Sequence, residues 1–259
     1  MTDVHLTAQG GTIIGMSPAQ RLHEALTHAA QRHADATRLV ILGDLTHRGD
    51  TAQYQALAAL LQDAPWPVTL MLGNHDRRAG FEAVFGHTGF QQIAFDAPGH
   101  RVLCLDTLDE AAPDTHSGLM CPARLDWLRA ELSAATDPVV ILMHHHLAKT
   151  GFDGMDRIAL RNSDQVTDIL HNSGKVRQII NGHIHRTIQT HAGPLPVTMI
   201  KSTCHQMPLV LGEGSSSLSV NEPGGYGVLL LGPKQCILHH EDFGHPEASI
   251  WNDEGSHTP

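Results

Sequence analysis

Short runs of consecutive apolar residues alternate along most of the chain with stretches whose apolar positions recur every three or four residues. The runs RLVILGD (38–44), PVTLMLGN (67–74), RVLCLD (101–106), PVVILMH (138–144) and VRQIING (176–182) are hydrophobic without alternation, which predicts strands buried on both faces. Between them, Ser17-Pro18 offers an N-cap and a first-turn proline ahead of a stripe of Leu22, Ala25, Leu26 and Ala29. Tyr54, Leu57, Ala58 and Leu61 predict a second helix from about Thr51 to Gln62, and PARLDWLRAEL (122–132) and Ser163–His171 predict two more. Strands alternating with helices define an α/β protein whose helices cover a sheet. From about 197 the pattern changes. VTMIKSTCHQMPLV, YGVLLLG and QCILHHE predict strands joined by the Gly/Ser-rich GEGSSSLSVNEPGG, with a polar tail after about Trp251. Neither a repeat nor a long polar linker divides residues 1–259, so one domain is expected, its C-terminal strands and tail running from about 197 to 259.

Composition narrows the partners. Hydrophobic residues make up 41% and charged residues 17%, as in ordinary globular proteins. A formal charge of −10 argues against a protein that grips a nucleic-acid polymer through its phosphates. The longest apolar runs are too short to cross a bilayer, so no membrane partner is expected. Cys104, Cys121, Cys204 and Cys236 form no CxxC pair, which reads as free thiols in a reducing compartment. MTDVHLT carries no basic region followed by an apolar core, so a cytoplasmic setting is expected.

The polar residues fall in a telling place. NGHIH (181–185) puts two histidines one residue apart after an apolar run. If that stretch is extended, His183 and His185 leave the same face of the backbone, too far apart to share one small ion but able to serve two adjacent ones. Asp3 and His5 lie in TDVH, Asp44 in GDLTHRGD, Asn74, His75 and Asp76 in GNHD, and His144, His145 and His146 in MHHHL. Taken singly, a Gly-Asp is a turn, GNHD a hairpin loop and HHH a solvated run. Five such groups at strand ends instead suggest one pocket, because ligands of open α/β sheets collect beyond the carboxyl ends of strands.

In that order, DVH, GDLTHRG, GNHD, HH and GHIH resemble the calcineurin-like metallophosphoesterases over Asp3 to His185, about seven-tenths of the chain. MHHHL, LRN at 160–162 and STCHQMP at 202–208 resemble most the branch of class III cyclic-nucleotide phosphodiesterases and bacterial glycerophosphodiesterases. The resemblance implies a four-layer α/β/β/α sandwich of the metallo-dependent phosphatase type and two divalent metal ions. Asp3, His5 and His185 would hold one ion, Asn74, His144 and His183 the other, with Asp44 bridging them. His145 replaces His144 if the strand register differs by one. Carboxylate, amide and imidazole ligands suit Mn or Fe, with Zn as the alternative. Cations roughly 3.5–4 Å apart can hold a phosphate oxygen together with an attacking, metal-bridging hydroxide. His75 would sit over the phosphate and assist the leaving group, and His205 would be a further substrate contact. Asp76 would orient His75 or cap its loop.

The implied activity is hydrolysis of a small-molecule phosphodiester, either a 3′,5′-cyclic nucleotide such as cAMP or a glycerophosphodiester. The alternatives are a phosphomonoesterase or protein phosphatase of the same superfamily and a non-catalytic scaffold. The scaffold reading suits chains that lack ligands, whereas here all seven positions and His75 are present. A homo-oligomer stays open, with the Gly/Ser-rich segment as a candidate packing loop. The remaining histidines, among them His23, His28, His33, His239 and His240, read as solvated or locally hydrogen-bonded, as do Arg77 and Arg78, either of which could reach a substrate's second ester group; the methionines and Trp127 read as core. The chain departs from the family in two places. Leucine follows the histidine run where relatives often have prolines, and only Met1 and Thr2 precede Asp3 where the family has a longer strand. The expectation is that the chain starts upstream of Met1 or that Asp3 hangs on a frayed segment ordered by metal.

Overall fold

The computed structural model describes residues 1–214 and 216–244, and the backbone of 250–251 and 257–258. The tail expected after Trp251 falls mostly outside the described residues. In chain order the elements are α1 (Pro18–Arg32), β1 (Leu39–Ile41), α2 (Thr51–Leu61), β2 (Val68–Leu70), α3 (Arg78–Phe85), β3 (Ile93–Ala97), β4 (His100–Leu105), α4 (Pro122–Ala134) and β5 (Val139–Met143). They continue with α5 (Asp153–Asp156), α6 (Ser163–Asn172), β6 (Val176–Asn181), β7 (Ile188–Ala192), β8 (Leu195–Met199), β9 (Gly224–Gly232) and β10 (Gln235–Phe243).

Six strands form a mixed sheet in the order β3-β4-β5-β6-β8-β7, parallel from β4 through β8 and antiparallel at both edges. Because side chains alternate across a sheet, β4 and β5 serve two cores at once. Leu103, Leu105, Val139, Ile141 and Met143 pack under Leu125, Leu128 and Leu132 of α4 and Val166 and Leu170 of α6. Val102, Cys104, Val140 and Leu142 face the opposite way, onto Leu42, Met71, Leu229, Leu231 and Leu238. That second layer contains the parallel pair β1-β2 and the hairpin β9-β10. Its far face, with Leu39, Ile41, Tyr226 and Phe243, is covered by α1, α2 and α3 through Leu22, Leu26, Tyr54, Leu57 and Phe81. The result is the four-layer α/β/β/α sandwich. The methionines are buried, as expected, while Trp127 is partly buried against the α4 side of the core.

Residues 1–6 run beside β1 and the loop after it. Met1 O accepts from Leu42 N–H, Asp3 N–H donates to Gly43 O, His5 N–H to Asp44 O and Leu6 N–H to Leu45 O. Thr203 N–H donates to Thr2 O on the other side. Backbone bonds on both sides and burial hold the segment against the loop after β1 and the stretch around Thr203. Among the described residues no helix is long and apolar enough to cross a membrane.

Candidate metal centre

The loops that leave β1, β2, β5 and β6, together with residues 1–6, meet at one end of the sandwich, where the parallel strands of both sheets finish. Their backbone is unusual. Seven non-glycine residues have positive φ among those described, and five of them are Asp3, His5, Asp44, His183 and His185, at +52°, +50°, +48°, +72° and +53°. Such conformations are uncommon for residues with a side chain and cluster where function fixes the backbone. They correct the extended reading of NGHIH. β6 ends at Asn181, and His183 and His185 reach the same pocket from left-handed turns.

Asp44 lies at the centre, 2% exposed. One of its oxygens is 3.5 Å from His5 Nε2 and the other 3.4 Å from His144 Nε2. On the first side, His185 Nε2 is 3.2 Å from Asp3 Oδ1 and 3.1 Å from His5 Nε2. On the second, His144 Nε2 is 3.1 Å from Asn74 Oδ1, and the His144 and His183 rings are 5.1 Å apart. Asp3, His5, Asp44 and His185 can present one ligand atom each within 4.8 Å of one another, as can His144, His145 and His183. A side chain on Gly73 would run into the Asp44 carboxylate and the His144 ring, which explains the glycine ahead of Asn74.

The donor set fits divalent ions. His144 Nδ1–H donates to Leu42 O at 3.0 Å, His185 Nδ1–H to His205 O at 2.9 Å and His183 Nε2–H to Ile158 O at 3.2 Å. Each carbonyl fixes a tautomer and leaves the opposite ring nitrogen as a lone pair for a cation. Burial disfavours charge throughout the cluster, yet the imidazoles around Asp44, His144 first, hold its carboxyl well below the ordinary range. Burial likewise opposes a charge on His144, but Asp44 outweighs it and pushes the imidazole up to about 9. Two buried carboxylates thus draw positive charge into the pocket, and a metal ion supplies such charge while using the same nitrogen lone pairs.

The seven residues expected as ligands are all brought together, and Asp76 and His145 take supporting places. Asp76 accepts from the backbone N–H groups of Leu45, Thr46 and Gly73 and from the Thr46 and Tyr54 hydroxyls. It therefore clasps the loops after β1 and β2 and makes no bond to His75. His145 has both nitrogens engaged, by the Thr107 hydroxyl at 2.7 Å and His116 O at 3.0 Å, whereas His144 faces Asn74 and Asp44. Asn162 bonds both N–H and C=O of Met120, so part of LRN braces a loop. Arg78 is locally hydrogen-bonded, its guanidinium gripping buried Asp106 with two nitrogens.

A cavity of about 280 Å³ opens over the cluster. His75 borders it, with its backbone N–H on Asp44 Oδ1 at 2.9 Å and Nδ1–H on His47 O at 2.9 Å. His205 also lines it, 4.5 Å from the His185 ring, and burial pushes its pKa down to about 3. Met155, Ile158, Ile184, Met207 and Leu218 give the cavity an apolar wall. His47 and His116 line it as well, although the sequence left them among the histidines without a site role. His47 sits inside GDLTHRG, 5.3 Å from the His75 ring and nearly parallel to it, a signal the motif contained.

A four-layer sandwich with an acidic–imidazole cluster at its strand ends is the architecture of a metal-dependent phosphoesterase. Residues 1–187 match the calcineurin-like phosphoesterase family model, and the chain belongs to that family. It is accordingly a phosphoester hydrolase, of a family that uses divalent metals. Among curated relatives, it is 32% identical to a probable cyclic nucleotide phosphodiesterase of Rhodopseudomonas palustris, over 94% of this chain and 91% of the relative. It is 29% identical to the 3′,5′-cyclic adenosine monophosphate phosphodiesterase CpdA of Pseudomonas aeruginosa, over 96% of this chain and 87% of that one. A dimetal phosphatase from Danio rerio shares the fold at a TM-score of 0.63 and 17% identity, covering 80% of this chain and 87% of its own.

Proposed function

We propose that this protein is a phosphodiesterase that hydrolyses a 3′,5′-cyclic nucleotide, such as cAMP, at a pair of divalent ions. One observation carries the two-ion reading: Asp44 turns one carboxylate oxygen to His5 and the other to His144, between two groups of ligands. Asp3, His5 and His185 would hold one ion, Asn74, His144 and His183 the other, with Asp44 shared. Mn or Fe suits these ligands, and Zn is the alternative. Bound there, the ions supply Lewis acidity for phosphoryl transfer to water. Similarity over nearly the whole chain to relatives named for cyclic nucleotides favours that substrate over a glycerophosphodiester.

The chain's own groups do the rest. His75 Nδ1–H is spent on His47 O, so Nε2 is the nitrogen free to act. Doubly protonated, the ring donates from Nε2 to the departing ester oxygen. His205 is positioned to meet the substrate beside His185. The apolar wall of Met155, Ile158, Ile184, Met207 and Leu218 receives the organic part of the ester and keeps water from it. The reading carries with it one domain over 1–259, a small-molecule substrate and a cytoplasmic setting.

Metal analysis of purified protein, with rates on cAMP, cGMP, glycerophosphoethanolamine, bis(p-nitrophenyl) phosphate and p-nitrophenyl phosphate, tests it. Two ions per chain and a preference for diesters, cyclic nucleotides foremost, are expected. A strong preference for the monoester, or inert protein with both ions bound, would overturn it.

A further inference from the structure

Asn74 poses a problem that the carboxylates do not. Its side chain has two unlike ends, and only the carbonyl oxygen can take a cation. Oδ1 faces His144 Nε2 at 3.1 Å, while Nδ2 lies 3.0 Å from His116 Nδ1. The amide nitrogen has only protons to give, so His116 Nδ1 accepts and the His116 proton resides on Nε2. We propose that His116 is a positioning residue of the metal centre, which locks the Asn74 amide with its oxygen toward the ion and its nitrogen away. The proposal rests on the two-ion reading above.

His116 is itself held from several directions. The backbone N–H groups of His116 and Ser117 both donate to Asp114 Oδ1, at 2.9 and 2.7 Å, and Thr115 between these anchors has φ +64°. The carbonyl of His116 accepts His145 Nε2–H at 3.0 Å. His145 Nδ1 in turn accepts the Thr107 hydroxyl at 2.7 Å, which fixes its tautomer. Gly118 lets the loop lie on that ring, since a Cβ there would stand 2.6 Å from His145 Cγ and Nδ1. Thr107, His145, His116 and Asn74 thereby form a chain from the ends of β4 and β5 to the loop after β2, linking the two sheets at the metal centre. The second histidine of the HHH run has its place in that chain.

Titrating metal-free protein with Mn²⁺ by calorimetry tests this directly. Wild type should take two ions. His116→Leu should leave one step unchanged and weaken the other by about tenfold to a hundredfold, the usual effect of losing a group that orients a ligand. His116→Asn, whose carbonyl oxygen falls near the place of Nδ1, should restore it. In an Asn74→Asp background both ligand oxygens are equivalent, so His116→Leu should cause no further loss. Nitrogen-15 NMR of metal-free wild type should show His116 protonated at Nε2. If His116→Leu keeps both affinities and only raises KM on bis(p-nitrophenyl) phosphate, or if the NMR places the proton on Nδ1, the positioning role is overturned. A wild type that binds a single ion would instead remove the two-ion reading, before any substitution is made.

Discussion

Asp3 and His5 stand on the short 1–6 segment and are gathered, with His185, around two carboxylates. Asn74, His144 and His183 stand on loops leaving β2, β5 and β6, and share only Asp44 as an anion. The first half is rich in charge and less fully oriented: His205 O fixes His185 and two donors hold Asp3, but His5 Nδ1 is buried without a partner. The second is poorer in charge but oriented throughout, by Leu42 O on His144, Ile158 O on His183 and His116 on Asn74. On the proposed two-ion reading, one half would attract its cation mainly by charge and the other mainly by preorganisation. Asp44 belongs to both, so Asp44→Asn is the harshest way to break the comparison. It should empty both sites by metal analysis and lower diester hydrolysis by more than about a thousandfold, beyond the 10–100-fold usual for an outer partner. Loss of one ion alone would show that the halves do not share it.

His75 sits between the halves, its ring 4.7 Å from that of His5 and 5.4 Å from that of His116. As the proposed proton donor to the leaving oxygen, it should matter for poor leaving groups more than for good ones. His75→Ala should lower kcat on cAMP by about 10²–10⁴-fold, the usual span for general acids. The loss should shrink on bis(p-nitrophenyl) phosphate, whose leaving phenolate needs no proton, with two ions still bound. An equal loss on both substrates would assign His75 to phosphate binding instead.

Asp3 sharpens the contrast in a different way, because it is also structural. Its carboxylate accepts His183 N–H at 3.0 Å and the Thr2 hydroxyl at 2.7 Å, so it fastens the 1–6 segment to the GHIH turn. Asp3→Ala should therefore destabilise metal-free protein by about 1–3 kcal/mol, the penalty of leaving a buried donor unpaired. Urea unfolding checks this. Metal-free stability equal to wild type would mean that Asp3 matters only to the ion.

Much of this centre was legible because polar residues sit where unbroken apolar runs stop, and the runs themselves mark buried strands. RVLCLD and PVVILMH became β4 and β5 at nearly the expected bounds. β3 and β7 were missed because they are sheet edges, partly exposed, and lack such runs. The stretch from 200 to 210, expected as strand, is irregular and brings His205 and Met207 to the cavity. His183 and His185 were assigned to one pocket through an extended geometry the backbone does not adopt, since φ is not written in residue type when the residue is histidine. His116 could not be told from the chain's 20 other histidines, because its meaning lies in a contact with Asn74 across 42 positions.

The mildest test concerns the support of the oriented half. Ile158 O, which fixes His183, follows the short α5, and that turn is tied back by Asp156. Its Oδ1 accepts from Thr150 N–H at 2.9 Å and the Thr150 hydroxyl at 2.7 Å, and lies 3.5 Å from His146 Nε2. Burial opposes the charge, but His146 and the Thr150 donors outweigh it and hold the carboxyl down at about 2. A carboxyl depressed in the folded state stabilises the protein above its unfolded pKa, and that stability disappears as pH falls through the folded one. The window is therefore about pH 4 down to about 2. Because Asp156 is partly open to solvent, the effect should be about 1 kcal/mol or less. Asp156→Asn should flatten that part of the stability–pH curve in metal-free protein, measured by urea midpoints. If the variant loses stability equally at pH 7 and pH 2, the amide has failed as a neutral acceptor for Thr150, and geometry rather than charge holds the turn.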